Sequence, residues 1–383
     1  MNRICAIALD EDKTFLSFAN LKRSNPDFFK IVEVSLPYKN NSSIADHLQD
    51  NLAVIDQKIR EVEISCSCRI LKVFVELPWN LSKQRLVEEI VILKRRKIVT
   101  PKDILFAKKY LEDKFLDWDD FCLHNIVMNY EIDTVAHEKP PLGIWAKKIK
   151  LTSHLLWVKD KLYKEVEDLF YTLDRSFGGF VAAGISMFAT SFRKRAGKQV
   201  MISVGFSKSY STVVDKGKFI FGKEFDFGIK KIIEEIGRRF LLKYSLSEEV
   251  FNRYVSFKEI PYNKEITIKK EDTGCINLSI QVVNSVVKEY VKREIVYFAK
   301  EIEDNICNND FSVSFIGRLN SKEGFFGFLK EYVGFPGNIS VKPFAVSSSM
   351  GCLRYGVSRF LENDYKQHGF FIQRFINIYR EYF

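Results

Sequence analysis

From Gln199 to Glu235 the apolar and polar residues alternate in blocks that predict strand, tight turn, strand, turn, strand and then helix. Val200–Val204 is an apolar run that stops at Gly205. Ser211–Val214 resumes it, Asp215-Lys216-Gly217 turns the chain, and Phe219–Phe227 forms a third run. Gly228 leads into a helix whose Ile229, Ile232, Ile233 and Ile236 share one side. Residues 1 to 77 also read as α/β. Ile4–Leu9 and Phe15–Ala19 predict a hairpin about Asp10-Glu11-Asp12-Lys13, and Phe29–Leu36 and Ile70–Leu77 predict further strands. Ser43–Ile59 carries Ile44, Leu48, Leu52 and Ile55 at helical spacing, with Ser43 as N-cap.

The pattern changes over residues 78 to 163. Thr100, Pro101 and Asp103 open a helix that runs to about Phe115, and strands are expected at Asn125–Ile132 and Ala146–Leu151. Helices follow at Lys159–Leu173 and Lys230–Tyr244, with a strand-to-helix step over Phe180–Phe192 between them. An alternating strand within Ile266–Leu278, a long amphipathic helix over Gln281–Ile306 and a strand at Phe311–Ile316 complete the second half.

A chain of 383 residues is long for one core, so two or more domains are expected. Its 46% apolar and 28% charged content is that of a folded protein, and no apolar run reaches the length of a membrane span. The N-terminus lacks the pattern of a signal peptide. A net charge of +10 permits nucleic acid, an anionic membrane or an acidic partner. The cations are scattered, apart from Lys94-Arg95-Arg96-Lys97 and Arg193-Lys194-Arg195, which read as solvated surface. No zinc finger, RNP motif or aromatic-interleaved basic repeat occurs, so nucleic acid is not expected as a partner. Seven irregularly spaced cysteines, with Cys66-Ser67-Cys68 lacking a second pair, point to reduced thiols rather than a metal site.

The central stretch resembles the second phosphate loop of actin-like ATPases, above all the bacterial cell-division family FtsA. Ser203–Tyr210 stands in place of that family's D-I-G-G-G-T-T-D, and Gly228–Gly237 in place of its following G-G-x-x-I-T-x-D-I-A. Tyr130–Leu156 resembles the family's Y-x-I-D-G…P-I-G-M-x-G-x-x-L-x-V-x-x-H, with Asp133, Pro141, Gly143 and His154 in matching places. Pro343–Gly356 resembles P-x-x-A-x-x-x-G-L-L-x-Y-G, a helix expected to close the second lobe. The resemblance spans almost the whole chain, in order. It implies an α/β, two-lobed actin-like fold (ribonuclease H-like, duplicated) with an FtsA-type inserted subdomain and a C-terminal amphipathic helix. Residues 1–77 and 164–197 would form the first lobe and 78–163 the insert. Residues 198–360 would form the second lobe, with 237–308 as its outer subdomain, and 361–383 a tether and membrane helix.

On that alignment the scaffold glycines Gly205, Gly228 and Gly317 survive while the chemical residues do not. Ser203 replaces the phosphate-loop aspartate, Phe206 and Ser207 replace two glycines, and Lys208 and Tyr210 replace a threonine and an aspartate. In the first loop, Asp10, Glu11 and Asp12 put carboxylates where phosphate would lie, beside Lys13. Arg253 stands near the lysine that touches adenosine in the family, and one glycine of the adenosine loop remains, followed by Arg318 and Leu319. Magnesium and attacking water need acids, and phosphate needs close backbone approach. The expectation is therefore no catalytic residue, no metal site and no cofactor. ATP with Mg would bind only if Lys208 or Ser209 still holds a phosphate.

The last fifteen residues place Gln373, Arg374, Asn377, Arg380 and Glu381 on one side of a helical wheel. Phe371, Ile372, Phe375, Ile376, Ile378, Tyr379, Tyr382 and Phe383 lie on the other. The resemblance makes this a lipid anchor on the inner face of the cell membrane at the division site. It implies the C-terminal peptide of FtsZ as partner, with Arg238, Arg239, Lys288, Lys292 and Arg293 attracting its acids. It also implies contacts with other division proteins and self-association into filaments. A rival reading is a PilM-like platform protein of type IV pilus or secretion assembly; an active sugar-kinase or Hsp70-like ATPase fits less well with the lost acids and glycines.

Overall fold

The computed structural model describes residues 3–10, 13–22, 25–36, 43–190, 197–215, 218–259, 264–270, 274–303, 311–332, 339–342 and 349–357. The chain divides into two units, Met1–Ser191 with Ser348–Phe383, and Phe192–Ser347.

In the first unit β1 (Arg3–Asp10) and β2 (Lys13–Lys22) form the expected hairpin, in register up to Asp10 opposite Lys13. β3 (Asn25–Val34) lies outside β2, and its Pro26 sits on this sheet edge, the place where a missing N–H is tolerated. α1 (Ile44–Ser65) starts at Ser43, whose Oγ accepts the Asp46 N–H at 3.1 Å while the Asp46 carboxylate accepts the Ser43 N–H at 3.1 Å. β4 (Lys72–Leu77) runs parallel to β1. Ile44, Leu48, Ile55, Ile59 and Val62 of α1 are buried in one core with Ile7, Leu16, Val73 and Val75 of the sheet. Each such aliphatic side chain contributes roughly 1.5–3 kcal/mol.

After β4 the chain leaves the sheet through β5 (Lys83–Ile98), α2 (Pro101–Phe115), β6 (Asp120–Ile132), β7 (Val135–His137) and β8 (Trp145–Lys159). These strands pair in the order β5-β8-β6-β7, and α2 covers one face with Ile104, Ala107 and Leu111. Asp133 and Thr134 join β6 to β7 in a two-residue turn with φ of 49° and 69°. The chain returns through α3 (Asp160–Thr172) to β9 (Ser176–Ala182), parallel to β4, and α4 (Ala183–Thr190). The sheet order is β3-β2-β1-β4-β9. Buried Arg175, just before β9, bonds Glu63 at 2.8 and 3.0 Å, Asp56 at 3.1 and 3.2 Å, and the Ile70 carbonyl at 2.9 Å.

The second unit repeats the plan. β10 (Lys198–Val204), β11 (Ser209–Asp215) and β12 (Lys218–Phe225) form an antiparallel meander; β15 (Phe311–Gly317) and β16 (Ile339–Lys342) add parallel strands, giving β12-β11-β10-β15-β16. Between the meander and β15 stand α5 (Ile229–Phe240), α6 (Tyr244–Tyr254), the hairpin β13 (Glu265–Lys270) with β14 (Gly274–Ser279), and α7 (Ile280–Glu303). α8 (Phe325–Tyr332) follows β15. The apolar side expected for α5 is the buried one, and Val283, Val287, Val291, Ile295, Phe298 and Ile302 of α7 join the same core.

Several elements depart from the sequence-based expectation, among them β7, α8 and β16, which it did not include, and the helix expected over Lys230–Tyr244, which ends at Phe240. The 16-residue β5 was not expected, because Leu86, Ile90 and Ile92 lie on its outer face and Val87, Val91 and Leu93 on its inner one, which erases a clean alternation. Ile266–Leu278 is a hairpin of two strands, not one. Helical residues 349–357, expected to close the second lobe, belong to the first unit. There Ser349 Oγ bonds Ser17 Oγ, the Tyr355 ring meets the His124 ring edge-on at 4.9 Å, and Arg354 lies over Phe28.

Candidate functional site

The turn between β10 and β11 is folded onto the start of α5. Gly205 N–H donates to the Lys208 carbonyl at 3.0 Å. The Gly205 carbonyl accepts the Ile229 N–H at 3.1 Å, and the Phe206 carbonyl accepts the Lys230 N–H at 2.9 Å. A helix N-terminus binds an anion through such otherwise unbonded amides, and here the turn's own carbonyls take two of them. Gly228 is required at this crossing, since a Cβ there would stand 2.2 Å from the Phe206 oxygen. The Phe206 side chain packs against the core of the unit, not into open space.

The two side chains expected to hold a residual phosphate are engaged elsewhere. Ser209 Oγ, fully buried, donates to the Phe227 carbonyl at 2.7 Å. Lys208 Nζ lies 3.2 Å from Asp226 and 3.5 Å from Glu224. Burial works to lower its pKa, but these carboxylates outweigh it and raise the value above the ordinary one. Ser203 is buried in β10 where the family has its aspartate, and Ser207 is half-buried.

The segment matched to the adenosine loop is also bonded within its own unit. Gly317 has φ +129°, and a Cβ there would stand 2.3 Å from the Val204 oxygen, so only glycine fits. After the short 3-10 turn Arg318–Ser321, Lys322 reaches the end of α6. Its Nζ donates to the carbonyls of Phe251 at 2.6 Å and Asn252 at 3.0 Å, and burial lowers its pKa to about 8. Phe257 N–H donates to the Glu323 carbonyl at 2.7 Å, which fastens the loop to the segment after α6. Arg253, which stands near the family's adenosine lysine in the alignment, pairs with Glu249 of its own helix at 2.9 Å. Sequence reasoning missed Lys322; a lysine between Ser321 and Glu323 carries no signal until the fold lays it on a helix end.

In the first unit the backbones of Asp10 and Lys13 face each other across the hairpin, and Asp12 lies outside the described residues. The residues expected to face an acidic peptide are partly committed: Arg238 and Arg239 both pair with Glu235, at 2.6 and 3.0 Å, and Arg293 pairs with Glu294 while lying over the Tyr290 ring. Lys288 Nζ is 3.4 Å from the Lys258 carbonyl, and Lys292 has interactions of its own. His154 bonds Gln84 at 3.0 Å, and burial lowers its pKa to about 4. Asp117, Asp119 and Asp120 come close enough to hold a cation, but Lys159 lies among them, 2.9 Å from both Asp119 and Asp120. The helix expected over Phe371, Ile372, Phe375, Ile376, Ile378, Tyr379, Tyr382 and Phe383 lies outside the described residues. None of the described helices is long and apolar enough to cross a membrane.

Two five-stranded sheets of identical order, each an antiparallel meander extended by two parallel strands, define the two-lobed, actin-like ATPase fold. Among solved structures, a chain of the PilM–PilN type IV pilus biogenesis complex is similar over 93% of this chain and 97% of its own, at 10% identity and a TM-score of 0.59. The ethanolamine utilization protein EutJ from Carboxydothermus hydrogenoformans is similar over 93% and 90%, at 8% identity and a TM-score of 0.52. MreB5 of Spiroplasma citri, bound to ADP, covers 95% and 97% at 9% identity, with a TM-score of 0.48. The sequence matches no protein-family model and no curated protein. At these identities the likeness is one of fold.

Proposed function

We propose that this chain is a scaffold built on the actin-like fold, which holds partner peptides at the inner face of the cell membrane without hydrolysing ATP. The observation that carries the reading is the bonding of the Ile229 and Lys230 amides to the Gly205 and Phe206 carbonyls. Two of the amides that open α5 are thereby withdrawn from an anion, and no carboxylate stands at Ser203 to position metal or water. Lys322 and Glu323 supply a similar closure in the segment that the resemblance matches to an adenosine loop. ATP–Mg at a hundred times its Kd adds about 2.7 kcal/mol to folding stability. The expected result is that millimolar ATP–Mg leaves the melting temperature unchanged; micromolar affinity by calorimetry defeats the reading.

The motifs of the sequence and the amphipathic end favour an FtsA-like role, in which residues 369–383 anchor the chain to lipid and the second lobe receives the FtsZ C-terminal peptide. The fold likeness to a chain of the PilM–PilN complex favours a PilM-like platform that takes a short peptide of a membrane partner. Sedimentation with vesicles of neutral lipid, for the full chain beside one ending at His368, separates them. Pelleting of the full chain alone supports the anchor and the first role; equal behaviour of both chains moves the platform role ahead.

A further inference from the structure

β5 is an edge strand of the inserted sheet. It pairs residue for residue with β8 as far as Ile92 opposite Lys148, and pairing resumes only at Lys97 opposite Ala146 and Ile98 opposite Trp145. Leu93 to Arg96 therefore oppose Lys147 alone, and the surplus residues bulge from the strand. Leu93 is buried and pins the bulge, whereas Lys94, Arg95 and Arg96 are exposed. Lys97 is held by Asp103 at 2.5 Å. Lys94, Arg95, Arg96, Lys147 and Lys148 meet no carboxylate among the described residues.

Large apolar side chains stand beside these cations. Ile92 is 62% exposed, Trp145 56% and Ile98 46%. Residues directly opposite in an antiparallel ladder share a face, so Ile92 lies with Lys148 and Ile98 with Trp145, each pair exposed while neighbouring Val91, Ala146 and Ile149 are buried. Tryptophan and aliphatic side chains ringed by unpaired cations suit the boundary between lipid headgroups and acyl chains. A partner peptide is the less suitable occupant. It would add as a strand to the edge, and the bulge breaks the ladder where the positive charge is densest. A flat anionic surface needs no ladder.

We propose that this end of the inserted sheet binds the anionic headgroup surface of a membrane, with Trp145, Ile92 and Ile98 entering the interface and Lys94, Arg95 and Arg96 contacting lipid phosphates. The contact uses none of residues 369–383 and stands whether or not they anchor the chain. The test uses the full chain and vesicles of equal parts phosphatidylglycerol and brominated phosphatidylcholine, whose bromine quenches tryptophan that enters the interface. Quenching is expected for the natural chain and is expected to fall sharply in Trp145→Phe. Joint substitution Lys94→Gln, Arg95→Gln and Arg96→Gln is expected to weaken vesicle binding on the order of a hundredfold. The triple variant alters exposed side chains alone, and circular dichroism checks its fold; Trp145→Phe gives an independent reading. Vesicle binding with unaltered quenching in Trp145→Phe assigns the contact to another segment and overturns the proposal. So does undiminished tryptophan quenching in the triple variant, or capture of a glutamate-rich apolar peptide in place of vesicles.

Discussion

The Lys322 ammonium lies 2.6 Å from the carbonyl oxygen of Phe251 and 4.4 Å from the centre of the same residue's ring. One side chain thereby closes the C-terminal end of α6 and fixes the loop after β15. Helix ends leave carbonyls without partners, and a cation is the favoured group there. In this fold the lysine occupies the part of the second lobe that the resemblance assigns to adenosine.

Lys322→Met is expected to destabilise the protein in a pH-dependent way. Burial lowers the folded-state pKa to about 8, below the unfolded value of about 10.4. Between those values the unfolded chain binds more protons, so stability from this group rises with pH. The neutral amine keeps donating to the two carbonyls, while methionine cannot. Chemical denaturation should show the gap between natural and variant chains widening from neutral to alkaline pH, to about 1–3 kcal/mol.

Gly228→Ala tests the crossing of the β10–β11 turn over α5. The added methyl would stand 2.2 Å from the Phe206 oxygen and 2.6 Å from the Ser207 carbonyl carbon, both backbone atoms. Overpacking of this kind costs roughly 1–3 kcal/mol. A lowered melting temperature is expected; an unchanged one would mean that the turn is free to move away from the helix.

Arg175→Met leaves Glu63 and Asp56 without their shared cation. Breaking a buried pair from one side costs roughly 3–5 kcal/mol. Burial acts to raise the Glu63 pKa, but the Arg175 bonds and the Ile70 N–H outweigh it and hold the carboxyl below its ordinary value. A carboxylate depressed in the folded state stabilises fully above its unfolded pKa, and that contribution is lost as pH falls through the folded value. Acid titration of stability should therefore be steeper in the natural chain than in Arg175→Met.

Thr134→Gly should stabilise the β6–β7 turn. Thr134 has φ 69°, a conformation that strains β-branched residues and suits glycine, the residue the FtsA motif carries there. The gain is limited by the greater freedom of glycine in the unfolded chain and should be about 1 kcal/mol or less. Thermal melts of the two chains measure it.

Much of the architecture was legible in the sequence because it depends on local pattern. Ser43 with Asp46 and Thr100 with Asp103 cap α1 and α2 through short-range bonds that two residue types at a fixed spacing dictate. The isoleucines of α5 declared their buried side by periodicity alone. The departures of Ser203–Tyr210 from the motif it resembles were likewise visible letter by letter. Tertiary structure decided what those letters now do. That Gly205 and Phe206 satisfy the α5 amides, and that Lys322 seals α6, depends on segments brought together from distant parts of the chain. The placement of residues 349–357 in the first unit, and the bulge that gathers Lys94, Arg95 and Arg96 beside Trp145, depend on pairing between remote strands. Periodicity reports which side of an element is buried; which element covers it is set by packing that no single stretch encodes.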